Sequence, residues 1–434
     1  MPRDSQPKVL VFGTGVFIRG FFGPMLQRMN DHADFGGSGI VVKLTPGPVA
    51  DAYTDGAPPY AVVRRGLDDR GGSTEEWTTV DALDRFVNPY TDWDAFLSTA
   101  RLPSMGYVVS NATEAGYADD GAPRPDGCPA TFSGKLCAWL HARFDSLGGA
   151  SASGVVVLPF ELLEGNAMRL RALVIDVARR WQLGGAFEAW LEDHCQFLAT
   201  LVDGIVAKPG VDDRALASAR GDGHPGLLCV AEPYSSFIIQ GPEAMEAELP
   251  LRSSGNDVTW TDDLVPWCRR KVRVLNGAHT GIVFLAMQAG LRLVRECCED
   301  EVVGAFLNRI VNDEIVPALN GDHIGSYAAD ILGRFRNPCL DHALADIALN
   351  SAAKLQTRIL PTISDHLEMT GELPRGLVLS VAAFMVHRPR GHGSDRKPVE
   401  DACRGIPGLD AAVSDAVRTL QAVDARTAMK EVLS

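Results

Sequence analysis

Lys8-Val-Leu-Val-Phe12 is a short apolar run that leads straight into Gly13-Thr-Gly15, and residues 17–29 then carry apolar side chains at helical spacing. A strand, a glycine turn and a helix in that order commit the start of the chain to an α/β layer. Gly39-Ile-Val-Val-Lys-Leu44 reads as the next strand, stopped by Pro46-Gly47. Gly106-Tyr-Val-Val-Ser110 and Val155-Val-Val-Leu158 are continuous apolar runs of the kind that parallel sheets bury on both faces. Between these two runs residues 134–144 are helical, and Gly148-Gly-Ala-Ser-Ala-Ser-Gly154 is a short loop. Leu227-Leu-Cys-Val230 and Phe237-Ile-Ile-Gln240 look like late strands. Beyond about residue 262 the pattern turns helical, with three-to-four spacing in residues 271–295, 301–319, 339–361 and 377–387. The sequence therefore predicts two domains, an α/β domain over residues 1–262 and a mostly α-helical domain over residues 263–434, and a length of 434 residues agrees with that number.

Charge narrows the partners. A net charge of −14 argues against a nucleic-acid surface and an anionic membrane, and any anionic substrate would need a local basic pocket. No apolar run reaches the length of a membrane span, and the N-terminal Met-Pro-Arg-Asp-Ser-Gln-Pro-Lys has no apolar segment behind its charges, so a cytoplasmic protein is expected. Nine cysteines without a Cys-x-x-Cys pair fit a reducing compartment, with the adjacent Cys297 and Cys298 read as small residues of a helix. The one strongly basic loop, residues 387–397, reads as solvated surface.

Three stretches carry chemistry. Gly13-x-Gly15 opens a dinucleotide-binding turn, in which glycines let a pyrophosphate approach amides at a helix N-terminus. Ile18 stands where the third glycine of that fingerprint belongs, and Arg19 follows within reach of a phosphate. Lys43 and Thr45 end the second strand where a ribose-binding carboxylate is usual, which leaves NAD and NADP both open on these residues. Ser110-Asn111-Ala-Thr113-Glu114-Ala-Gly116 falls at the carboxyl end of a strand, the edge at which open α/β sheets bind ligands. Asp203 is a lone acid in the apolar run Leu201-Val-Asp-Gly-Ile-Val206, either a helix or turn cap or a paired group.

The third stretch, Lys271-Val-Arg-Val-Leu-Asn276-Gly-Ala-His279-Thr280, spaces an amine, an amide and an imidazole by five and three residues. On an α-helix Asn276 lies roughly 140° and His279 roughly 80° round from Lys271, so the three heads share one sector. At a first helical turn, and buried, such a lysine would have its pKa lowered toward acid/base work. A core helix with a snorkelling lysine is the competing reading. Asp322-His323 and Asp365-His366 point to different faces and no His, Cys, Asp or Glu cluster has ligand spacing, so no catalytic metal is expected.

The order of motifs, Gly13-x-Gly15-x-Phe17-x-Arg19, Ser110-Asn-Ala-Thr-Glu-Ala-Gly116, Leu201-Val-Asp203, Ala231-Glu-Pro233, Lys271-x4-Asn276-x2-His279 and Arg334-Phe-x-Asn-Pro338, resembles the polyol-specific long-chain dehydrogenase/reductase family of mannitol dehydrogenase, fructuronate reductase and tagaturonate reductase. Three stretches look most like the tagaturonate reductase (altronate oxidoreductase) branch: Pro159-Phe-Glu-Leu162, the Lys271 to Thr280 run, and Asp346-Ile-Ala-Leu-Asn-Ser351-x2-Lys354. The resemblance implies an N-terminal Rossmann-type domain that binds NAD through Gly13, Gly15, Phe17, Arg19, Asn111, Thr113 and Glu114. It implies a helical C-terminal domain, an active site between the two, and metal-independent reduction of a keto-uronate to a sugar acid. Lys271 would be the general acid/base, Asn276 the partner of the developing alkoxide and His279 the reader of a substrate hydroxyl. Asp203, Arg334 and His342 would face the substrate, with the Arg334 guanidinium suited to a carboxylate. Two departures stand out: Leu162 replaces the asparagine of the mannitol branch, and Gly204 replaces the arginine usual after the aspartate. The same resemblance leaves mannitol dehydrogenase or fructuronate reductase specificity as alternatives. A non-catalytic NAD-binding sensor is a further alternative, from a different class. The expected partner is a small sugar acid or polyol, with no nucleic acid and no membrane, bound by a monomer or small homo-oligomer.

Overall fold

The computed structural model describes residues 5–48, 53, 56–67, 72–112, 114–319, 321, 323–339, 341–387 and 396–434, with residues 114 and 115 by backbone only. Thr113, the Glu114 side chain and residues 388–395 of the basic loop lie outside the described residues. Two compact units divide the chain: Met1–Arg65 with Ser73–Leu264, and Gly66–Gly72 with Val265–Ser434.

The first unit holds the strands β1 (Gln6–Phe12), β2 (Gly37–Val42), β3 (Tyr60–Leu67), β4 (Ser73–Val80), β5 (Leu83–Val87), β6 (Tyr107–Ser110), β7 (Val156–Pro159), β8 (Gln196–Phe197), β9 (Thr200–Asp203), β10 (Val206–Ala207), β11 (Cys229–Ala231), β12 (Ser236–Gln240) and β13 (Val258–Thr261). Six of them form a sheet in the order β5-β2-β1-β6-β7-β8, and every pairing in it is parallel. Leu10 is in register with Ile40 and Val108. With Phe12 and Val42 these side chains pack into one apolar core, while Val9, Val11, Val41 and Val109 pack into another. Burial on both faces is why these strands are uninterrupted apolar runs rather than alternating ones. Strand order reverses at β1, which has β2 on one side and β6 on the other, and in such sheets the crevice beyond the carboxyl ends at the reversal takes ligands. This is the Rossmann-type fold expected from the sequence.

Two smaller sheets complete the unit, β10-β11-β3-β4 and β13-β12-β9. Asp203 ends β9, in antiparallel register with Ser236 of β12. The backbone of the run Thr200–Asp203 is satisfied by a ladder, which places Asp203 at a strand end.

The second unit is helical. Its central helices Asn276–Gln288 and Arg375–His387 are apolar around most of their circumference and almost wholly buried. Gly376 lets the second of these helices pack closely on residues 310–315, since a Cβ there would meet Ile310 at 2.5 Å and the Glu314 carboxylate at 2.9 Å. Among the described residues no helix is long and apolar enough to cross a membrane.

Candidate active site

In the first unit, Gly13 adopts φ +136°, and a Cβ on it would lie 3.3 Å from the Asn111 carbonyl. A side chain is thus excluded by conformation and by the neighbouring loop. The Gly13 N–H donates to Val42 at 3.0 Å and the Asn111 N–H to Phe12 at 2.9 Å, so the turn after β1 and the segment after β6 stand side by side. Gly15 differs. It has an ordinary extended conformation, nothing lies within 4 Å of where its Cβ would be, and it caps the helix Val16–His32 without a side-chain hydrogen bond. The first-turn N–H groups of a 17-residue helix are left with open space above them and no acid among their side chains, which suits a phosphate. The residues present fit a dinucleotide.

Phe17 stacks on Phe21 with centroids 5.0 Å apart. Arg19 departs from expectation. Instead of reaching outward to a phosphate, its guanidinium donates to the Thr14 carbonyl of its own turn and lies against Tyr53 and Cys229. Lys43 likewise turns inward, buried, with its ammonium on the Pro48 carbonyl at 3.1 Å. Asp203 is buried, and a Cβ on Gly204 would meet the Phe21 ring at 3.2 Å and the Tyr234 carbonyl at 3.4 Å, so no long side chain fits beside it without movement. Leu162 is 59% exposed just beyond β7.

The second unit brings its predicted residues together by an unexpected local structure. Lys271–Leu275 is a π-helical turn between the α-helices Val265–Arg270 and Asn276–Gln288, closed by the Asn276 N–H on the Lys271 carbonyl. Lys271 therefore lies inside a continuous helical run and not at a helix start, so no helix terminus acts on it. An i→i+5 turn winds more slowly than an α-helix, so Asn276 lies closer in angle to Lys271 than α-helical spacing implies. Such turns recur at Ile310–Ile315 and Leu355–Ile359, and the first packs against both of the others. Arg273 anchors the first turn, donating to Thr362 at 2.7 Å and to Asp365 at 3.0 Å, and Arg270 sits between the rings of Trp267 and Tyr327, 4.6 and 4.1 Å from their centroids.

Lys271 is 7% exposed. Asn276 is half-buried, and its backbone carbonyl accepts the Thr280 hydroxyl at 2.7 Å. His279, 6% exposed, stacks on Phe335 at 4.1 Å and meets His342 edge-on at 4.7 Å. Burial, then His342, Arg334 and Arg358, hold its pKa well below the ordinary value, while a hydrogen bond to the Leu275 backbone opposes them. The ring is neutral at physiological pH, and its Nε2 is buried without a hydrogen-bond partner among the described residues. With the other nitrogen turned to the Leu275 carbonyl, Nε2 presents a lone pair ready to accept a hydroxyl proton.

Around this imidazole gather the cations that a chain of net charge −14 needs for an anionic ligand. Arg334 lies in the last turn of the helix Ile324–Phe335, and Arg358 in the third π turn donates to Thr280 Oγ1 at 3.2 Å. The pKa of His342 is lowered by burial, against the pull of Asp346 and with the help of Lys354, whose ammonium holds the Ile347 carbonyl at 2.8 Å. Arg358 is a candidate site residue that no motif in the sequence marks, and it meets Thr280, the last residue of the Lys271 run. In the first unit Glu161, just past β7 within the Pro159 to Leu162 string, is a buried acid at 3% exposure.

Residues 7–253 match the mannitol dehydrogenase Rossmann domain, and residues 263–434 match the mannitol dehydrogenase C-terminal domain. The chain is 34% identical to the altronate oxidoreductase of Bacteroides thetaiotaomicron over 400 residues, 91% of this chain and 83% of that protein. With the altronate oxidoreductase of Bacillus subtilis it shares 35% over 379 residues, 87% and 79% of the two chains. With that of Klebsiella pneumoniae it shares 36% over 406 residues, 92% and 84%. Among solved structures, a substrate-free D-sorbitol dehydrogenase superposes with a TM-score of 0.80 at 19% identity, covering 98% of this chain and 95% of that one. The mannitol 2-dehydrogenase of Pseudomonas fluorescens, a ternary complex with NAD and D-mannitol, gives 0.76 at 19% identity over 99% and 95%. At these identities the two structures speak for the fold; the domain matches and the relatives above 30% identity show that the chain belongs to the mannitol dehydrogenase family.

Proposed function

We propose that this chain is an NAD-dependent oxidoreductase that interconverts a keto-uronate and its sugar acid, tagaturonate and altronate, with Lys271 as the proton-transfer group. The observation that carries the reading is the second unit's buried Lys271 in a π turn, followed by Asn276 and by a neutral His279 ringed with Arg334, Arg358 and His342. NAD(H), when bound, supplies or takes the hydride. Gly13 and the open helix start at Gly15 would hold its pyrophosphate, with Asn111 alongside. Lys43 spends its charge on Pro48, which removes the residue that favoured a 2′-phosphate and supports NAD over NADP.

For reduction, the Lys271 ammonium gives its proton to the carbonyl oxygen as the carbon is reduced, so no free alkoxide accumulates. The Asn276 amide donates to the same oxygen, and His279 Nε2 accepts a neighbouring substrate hydroxyl. Arg334, with Arg358 close by, meets the carboxylate. Leu162, where the mannitol branch has asparagine, leaves Asn276 as the amide assigned to the oxygen. The altronate oxidoreductase names of the relatives support the same substrate class.

The deciding measurement is kcat/KM for NADH-dependent reduction of tagaturonate, fructuronate and fructose, followed by loss of NADH absorbance. Tagaturonate is expected to lead, and both uronates to exceed fructose by at least tenfold. A preference for fructose would establish mannitol dehydrogenase specificity, and the absence of turnover on the whole panel would support a sensor.

A further inference from the structure

Glu161 is a buried acid that the proposed reaction leaves without a role. It sits just past β7, and among the described residues its carboxylate accepts from its own backbone N–H and from three groups further off in sequence. The Ala112 N–H reaches Oε1 at 2.6 Å, while the Ser110 hydroxyl at 3.0 Å and the Tyr117 hydroxyl at 2.9 Å both reach Oε2. The partners come from the last residue of β6, Ser110, and from the segment that follows it, and Asn111, between Ser110 and Ala112, lies against the Gly13 turn. The backbone that carries the carboxylate is itself held from behind. The Asn166 amide, fully buried, donates to the carbonyls of Pro159 at 3.0 Å and Glu161 at 3.1 Å, and to Thr200 at 3.0 Å. The Phe160 N–H ties the same corner to the Ser110 carbonyl at 2.8 Å.

Burying a carboxylate is costly, and its pKa is accordingly raised, by desolvation first, against the pull of these donors. A neutral side chain would avoid that cost unless an acceptor with two oxygens is needed. As a carboxylate, Glu161 takes all of these as donors at once. Glutamine offers one oxygen, for the Ala112 N–H, and its amide would have to donate to the Ser110 and Tyr117 hydroxyls, which reverses both of those bonds and sends their protons elsewhere.

We infer that Glu161 is a positioning residue for the cofactor: it fixes the segment after β6 beside the Gly13 turn, and so sets one wall of the crevice at the strand-order reversal. The inference rests on the proposal that this crevice takes a nicotinamide nucleotide. Glu161 itself touches neither cofactor nor substrate in this assignment; its effect passes through the backbone of Ala112 and the adjoining Asn111.

The test is Glu161→Gln in the full-length protein, with NADH as the probe. Fluorescence titration is expected to show Kd for NADH raised at least tenfold, and steady-state kinetics KM for NADH raised in parallel, with KM for the keto-uronate changed less than threefold. A purely structural role would instead lower the melting temperature and leave Kd for NADH in the folded protein unchanged, and that result overturns the inference. If Glu161→Gln does not fold, Tyr117→Phe removes one donor and leaves the ring; it is expected to raise Kd for NADH severalfold, and an unchanged Kd refutes the idea equally. A wild-type protein that turns over substrate with NADH while Glu161→Gln binds NADH normally refutes this inference alone. A wild-type protein that binds no nicotinamide nucleotide refutes the cofactor proposal, and this inference with it.

Discussion

Replacing Arg334 by alanine separates the carboxylate-recognition idea from every other part of the proposed mechanism. A hydrogen bond to a charged partner contributes about 1.5–3 kcal/mol, and each 1.4 kcal/mol is about tenfold in rate, so losing the guanidinium outright would cost roughly 10- to 150-fold in kcat/KM on a keto-uronate. The structure points to the low end of that range. Arg358 also lies close enough to act on His279, and Lys354 acts on His342, so positive charge remains after the substitution. About tenfold is therefore expected for Arg334→Ala, and on the order of 100-fold when Arg358 is removed as well, from one further interaction of the same size. Fructose has no carboxylate and should lose less than threefold. The control is built into His279: burial, not Arg334, is the first cause of its neutrality, so its acceptor role survives for both substrates. The assay is initial-rate NADH oxidation with tagaturonate and fructose, on wild type and variant. Equal losses on the two substrates would refute the pairing of Arg334 with a carboxylate.

Lys271→Ala should lower kcat by about 10²–10⁴, the range for loss of a positioned general acid, with NADH affinity by titration unchanged; a loss under tenfold would overturn the assignment. Glu314 accepts the Gly376 and Leu377 N–H groups, each at 2.8 Å, at the start of a buried helix. Glu314→Ala strands both donors and should cost about 2–4 kcal/mol of stability, read by denaturant unfolding, where a change below about 1 kcal/mol would contradict the capping argument. His279 and His342 both titrate below the unfolded value of about 6.5, so the unfolded chain takes up more protons than the folded one as the pH drops past that value. Their contribution to stability is present above about pH 6.5 and is lost through the folded pKa values below it. The melting temperature of His342→Gln should accordingly fall less between pH 7 and pH 5 than that of wild type, and an equal fall would exclude this linkage.

The sequence reveals the Rossmann-type half wherever one pattern has one meaning. Val9 to Phe12 and Val41 to Val42 are apolar on successive residues because two cores claim alternate side chains, and only a strand covered on both faces needs that. Other strands hide. β3 carries Arg64 and Arg65 within its run, and β4, Ser-Thr-Glu-Glu-Trp-Thr-Thr-Val, is largely exposed, so neither shows the apolar signal that motif reading follows. β9 is four residues long and ends in an acid, and only its partner β12 makes it a strand. Nothing in the residue types around Arg19 signals that its guanidinium folds back onto the Thr14 carbonyl, and Cys229, which also lies against it, is 210 residues further on.

The chemistry of the second unit shows the same limit at finer scale. Residue types and spacing single out Lys271, Asn276 and His279, but an α-helical template misplaces them, because a π turn inserts slack that no residue in Lys271–Leu275 advertises. What sustains the turn is outside it. Arg273 is tied to Thr362 and Asp365, Arg270 is held against Tyr327, and two further π turns pack on this one. A wider turn forfeits α-helical bonding and persists only where packing compensates, which makes the angle between Lys271 and Asn276 a property of tertiary structure. Arg358 is hidden in the sequence for the same reason. It stands 78 residues from Thr280 in sequence, and the packing of the third π turn against the first delivers its guanidinium to that hydroxyl, beside the imidazole it helps keep neutral.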